Sequence, residues 1–157
     1  MTVIEPAGAG LAPGLALEIS RLVDAPPALV FKAWASKDRL VRWWGPKDFS
    51  ATSETLDFRV GGSYRHTIHG PDGRSYGMSG VYREIDEPAA IVFTFAWDDE
   101  HGQPADTTLV SVTFAADGGK TRLTFRQHPF ADAATRDSHA SGWGECLDRL
   151  VDGMRET

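Results

Sequence analysis

A single cysteine, Cys146, stands in 157 residues, which excludes an intramolecular disulfide and suits a reducing compartment. No apolar run approaches the ~20 residues that a membrane-spanning helix needs. The Ala-, Gly- and Pro-rich start lacks the basic opening and apolar core of a secretory signal. It reads as a flexible tail over residues 1–14 ahead of one domain over 15–157, and the expected location is the cytoplasm. Basic residues are scattered and outnumbered, 16 Lys and Arg against 22 Asp and Glu, for a formal charge of −6. Phosphate recognition needs a basic face, so neither nucleic acid nor an anionic membrane is an expected partner. The chain has no Gly-rich phosphate loop, no G-x-S-x-G turn and no H-E-x-x-H helix. No nucleophile stands with a base and an orienting group. His66 and His69 form H-x-x-H, but residues three apart on a strand point to opposite faces and do not share an ion. The Asp98-Asp99-Glu100-His101 run reads as a solvated loop. No metal or other cofactor is expected.

What is present is a set of strands closed by one long helix. Between Asp132 and Met154 the residues His139, Trp143, Cys146, Leu147, Leu150 and Met154 share one stripe of a helical wheel. Asp137, Glu145, Asp148, Arg149 and Asp152 fall opposite. Most of the preceding chain reads as strand, so the helix stripe and one sheet face are expected to bury each other. With 41% apolar and 10% aromatic residues the domain has the material for that core.

Leu15–Val23 alternates as a first strand. Pro26-Pro27 opens a short helix over Ala28–Ala35, and Ser36 opens a second over Lys37–Trp44, ended by Gly45-Pro46. Further strands are expected at Thr55–Val60, Ser63–His69, Tyr76–Ile85, Ala90–Trp97, Thr108–Ala115 and Thr121–His128. The turn signals between them include Gly61-Gly62, Pro71-Asp72-Gly73 and Asp117-Gly118-Gly119. Alternation assigns the inner rows: Leu56, Phe58, Val60; Tyr64, His66, Ile68; Ile91, Phe93, Phe95, Trp97; Val110, Val112, Phe114; Leu123, Phe125, Gln127. For Tyr76–Ile85 two sets compete, Met78 with Gly80 and Tyr82 against Val81 with Ile85. The expected class is α+β, a curved antiparallel sheet of about seven strands on a long C-terminal helix.

The order strand, two short helices, six strands, long helix resembles the START-like, or SRPBCC, superfamily. Within it the chain is similar to the branch of homologues of the activator of heat-shock-protein ATPase. The resemblance is carried by Phe31-Lys32-Ala33-Trp34, Trp43-Trp44-Gly45-Pro46, Phe58 through Arg65, Gly80 through Ile85, Thr121 through Phe125 and Gly142-Trp143. It implies a helix-grip fold with a cavity between sheet and last helix, and members that mostly bind hydrophobic small molecules, with some relatives cyclases or dehydratases. The chain departs at Gln127, where this branch is expected to carry a histidine; His128, one residue on, points to the other face.

The candidate cavity lining is therefore Tyr64, His66, Tyr82, Phe93, Phe95 and Trp97 from the central strands, Val112, Phe125 and Gln127 from the last two, and His139, Trp143 and Leu147 from the helix. His139 and Trp143, four apart, both face the sheet; the histidine is either a proton donor beside an aromatic wall or a core ring bonded to a carbonyl. Gly142 and Gly144 weaken the helix, and close approach, a kink or room for a ligand would each account for them. Tyr64, His66 and Gln127 must pair with one another, water or ligand. Trp97, at a strand end, either gates the mouth or is core. Three functions follow: a binder of a small hydrophobic or aromatic molecule, a cyclase or dehydratase using His66 or His139 as acid or base, and a co-chaperone-like module. An exposed edge strand or the Trp43-Trp44 corner would be the seam of a homodimer.

Overall fold

A computed structural model describes residues 14–155; apart from Gly14, the tail expected over 1–14 lies outside the described residues. The chain runs β1 (Leu15–Val23), α1 (Pro27–Lys32), α2 (Lys37–Leu40), β2 (Ser50–Leu56), β3 (Ser63–His69), β4 (Ser75–Asp86), β5 (Ala90–Asp98), β6 (Pro104–Asp117), β7 (Lys120–Phe130) and α3 (Ala133–Arg155). The strands form one antiparallel sheet in the order β1-β7-β6-β5-β4-β3-β2. The first strand thus closes beside the last, and α1 and α2 fill the crossover between the two edges. Pro27 starts α1, where a missing N–H costs nothing. After the turn that follows α2, Gly45 takes φ +103°, a left-handed turn that favours glycine.

One face of the sheet is covered. α1 packs on β6 and β7, and α3 lies against β1. Trp143, Cys146, Leu147, Leu150 and Val151 are the buried face of α3, and they meet the inner rows of the strands. Arg149, on the polar side of the wheel, is the exception. Its long stem folds back so that Nη1 donates to the carbonyls of Gly45 at 2.8 Å and Phe49 at 3.1 Å. The nearby Lys47 N–H donates to Glu145 at 3.0 Å. Two side chains of α3 thus pin the corner after α2 to the helix.

The second strand departs from expectation. It is Ser50–Leu56, not Thr55–Val60, because an edge strand open to water has little need of apolar alternation. Phe58 sits in the following turn and packs edge-on against Phe31 at 5.8 Å, whereas Val60 is 58% exposed. In β4, Met78 and Tyr82 are the inward set; Val81 faces solvent, and a register shift between Tyr82 and Glu84 precedes Ile85. Gly80 lies opposite Thr94, where a Cβ would collide with the Thr94 carbonyl. The Tyr64 hydroxyl donates to that carbonyl at 2.6 Å.

Candidate functional site

A cavity of about 320 Å³ opens between α3 and the sheet. Its helix side is Ser138, His139, Gly142, Trp143 and Cys146, on and beside the α3 stripe. The corner held by Arg149 supplies Trp44 and Pro46. Ile68, Met78, Phe95 and Trp97 form the sheet side, each from a different strand except the last two, which alternate along β5. A Cβ at Gly142 would come no closer than 3.9 Å to Pro46, so this glycine leaves room in the cavity instead of permitting a tight contact. Gly144 faces away, toward Arg21.

The aromatic walls brace one another. Trp143 meets Trp44 edge-on at 5.1 Å and Phe125 at 4.5 Å between ring centroids. Its indole N–H donates to Gln127 Oε1 at 2.8 Å; Gln127 Nε2 in turn donates to Thr108 Oγ1 at 2.8 Å, and the threonine hydroxyl to the Phe95 carbonyl at 3.1 Å. Each polar side-chain atom in this chain has a partner within the protein. The chain fixes the tilt of Trp143 and hence the shape of the cavity.

At the mouth the half-buried Trp97 donates its indole N–H to His139 Nε2 at 2.9 Å. His139 Nδ1 lies 2.9 Å from the Thr135 carbonyl. A carbonyl only accepts, so Nδ1 carries the proton and Nε2 is the acceptor. Of the two readings of His139 the geometry matches the ring bonded to a carbonyl: its N–H goes to Thr135, and its other nitrogen accepts from Trp97 and offers no proton.

The remaining sequence candidates lie elsewhere. Tyr64, His66, Tyr82 and Phe93 surround a separate void of about 10 Å³ under Trp34 and Trp44. Val112, Phe125, Gln127 and Leu147 are fully buried and line neither space. Burial pulls the His66 imidazole down to about 4, so it is neutral at neutral pH; its Nδ1 lies 3.1 Å from Ser53 Oγ. Burial raises the Tyr64 phenol, with Tyr82 adding to the effect. Cys146 is pushed up to about 12 by burial, which leaves an unreactive thiol in the wall. Among the described residues no three His, Cys, Asp or Glu side chains converge on a metal position. Asp98 instead pairs with Arg65 at 2.8 and 3.0 Å, and Asp99 accepts the backbone N–H groups of His101 and Gln103. Trp43 and Trp44 are buried, so the corner proposed as a dimer seam offers no aromatic surface. The sequence candidates omit Trp44, Pro46, Ile68, Met78 and Cys146, which line the cavity; the signal for Cys146 is its place on the helix stripe.

A family model described as Activator of Hsp90 ATPase homolog 1-like protein matches residues 24–154. The chain belongs to that family. Solved structures agree with this member's fold. A protein from Arthrobacter aurescens is 27% identical with a TM-score of 0.83, covering 92% of this chain and 88% of that one. One from Chromobacterium violaceum is 26% identical with a TM-score of 0.81, covering 88% and 96%. An AHSA1 protein from Silicibacter pomeroyi, 23% identical with a TM-score of 0.80 over 90% and 98%, shares the fold. No curated protein matches the chain. The helix-grip architecture is therefore that of this activator-homologue branch. Among its described residues no helix is long and apolar enough to cross a membrane.

Proposed function

We propose that the protein binds a small hydrophobic or aromatic molecule, without covalent chemistry, in the cavity between the sheet and α3. The observation that carries this is the cavity itself: its volume is at the size where ligand pockets begin, and its walls are aromatic and aliphatic with few polar groups. A cytoplasmic setting suits the lone thiol. Any homodimer would pair through the open edges, β1 or β2.

Native mass spectrometry of freshly purified protein, followed by denaturing extraction, tests the reading. An adduct of a few hundred daltons, lost when Phe95 or Trp143 is replaced by Arg, is the expected result. A bare protein mass, together with no uptake of any aromatic probe, overturns it. The same spectrum reports monomer or dimer.

One observation favours acid–base chemistry as a second reading, namely that His139 keeps an unprotonated Nε2 at the cavity wall, engaged only by the Trp97 indole N–H. A cyclase or dehydratase would lose a pH-dependent turnover in His139→Ala. The family description alone speaks for a co-chaperone role, which would appear as a chaperone retained on the immobilised protein.

A further inference from the structure

On the far side of the Trp97–His139 bond lies a second chamber of about 470 Å³. Phe95, Trp97 and His139 line both chambers and are the partition between them. Most of that partition is apolar. Its one polar element is a matched pair, a donor on Trp97 and an acceptor on His139, 2.9 Å apart and aimed at each other.

The bulge in β6 shapes this place. Phe95 pairs with Thr108 but Trp97 pairs with Ala105, so β6 carries an extra residue there, and Asp106 takes φ 52° to accommodate it. Bulges re-aim side chains at a strand end; here the bulge stands opposite Trp97, in the wall of the second chamber.

We infer that the ligand is a neutral aromatic alcohol or phenol whose hydroxyl enters between Trp97 and His139. A hydroxyl oxygen accepts from the indole N–H while its own proton goes to His139 Nε2, so one group replaces one hydrogen bond by two. An ether accepts from Trp97 but leaves His139 Nε2 unpaired, and a hydrocarbon leaves both unpaired unless the pair recloses. Carboxylates are disfavoured for a different reason. No Lys or Arg lines either chamber, while Asp106 and Asp132 border the second one, so an anion would enter with no counter-charge. This inference rests on the proposed cavity binding and names its ligand class.

Isothermal titration of the purified protein with a naphthol, its methyl ether and the matching naphthoate tests it. The naphthol is expected to bind about tenfold more tightly than the ether, the worth of roughly one added hydrogen bond, with the naphthoate weakest. His139→Phe should bring naphthol and ether to the same affinity, since each then only accepts from Trp97. Trp97→Phe should weaken both and keep the naphthol's preference, because its O–H still donates to His139. Both variants are checked for fold by circular dichroism. Equal binding of naphthol and ether by the unaltered protein overturns the hydroxyl site and leaves the hydrophobic-binding reading standing. A preference that survives in His139→Phe overturns it too, since the hydroxyl proton is then received elsewhere. Binding of none of the three overturns the cavity reading itself.

Discussion

The indole N–H of Trp143 on α3 donates to Oε1 of Gln127 on β7 at 2.8 Å, with both side chains closed to solvent. Gln127→Leu fills similar space but strands that N–H, and leaves Thr108 without its donor. A loss of about 1–3 kcal/mol follows, read from urea unfolding at neutral pH. Gln127→His keeps one donor and one acceptor on the ring and should lose less. Equal losses in the two variants would show that volume, not hydrogen bonding, matters at this position.

Arg149 holds the carbonyls of Gly45 and Phe49. Arg149→Met retains much of the stem but removes these charge-assisted bonds, and should cost about 2 kcal/mol. Lysine has a single rotatable ammonium in place of the planar fork, so Arg149→Lys should recover only part of the loss. Unfolding midpoints of the three proteins decide.

Gly142→Ala should move stability and binding in opposite directions. The helix gains up to about 1 kcal/mol, and the new methyl meets nothing closer than Pro46 at 3.9 Å. It does, however, enter the cavity. The expected pairing is a raised Tm with weakened uptake of an aromatic probe; a raised Tm with unchanged uptake would place the ligand away from this wall.

His66 makes stability depend on pH. Its folded value, about 4, lies below the ordinary imidazole value of 6.5, so between these values the unfolded chain binds more protons and stability falls as pH drops. The neutral form's advantage is intact above the unfolded value and gone below about pH 4. Between pH 7 and pH 5 the loss from this one group is about 2 kcal/mol. Urea titrations at the two pH values should show a difference smaller by that amount in His66→Gln.

Much of this architecture is legible in the sequence because two periodicities carry it. Leu15–Val23 matches β1 end for end, and the stripe read over Asp132–Met154 is α3 within a residue at either end. Strand β2 was illegible because its residues are almost all polar, and an edge strand is defined by backbone pairing that side chains do not announce. The site was legible in face but not in place. Alternation puts Tyr64, His66 and Ile68 on one side of β3, and the structure agrees that all three are buried. It says nothing about which helix covers each one. Tyr64 and His66 fall under the Trp34–Trp44 layer, and only Ile68 reaches the cavity. Likewise Phe93 and Phe95, two apart on β5, line different spaces. Arg149 was misplaced because a helical wheel locates a Cβ, while a guanidinium reaches several ångströms beyond it.

Three of the five tryptophans, Trp44, Trp97 and Trp143, line the cavity. The protein therefore carries its own optical reporter. An occupant that displaces water from these indoles should shift and quench their emission, whereas Trp34, which lines the smaller void, supplies a background less sensitive to filling. Titration in a cuvette, at concentrations far below those calorimetry needs, would then follow occupancy without any label, and the emission of Trp97→Phe would separate events at the mouth from events at the inner wall.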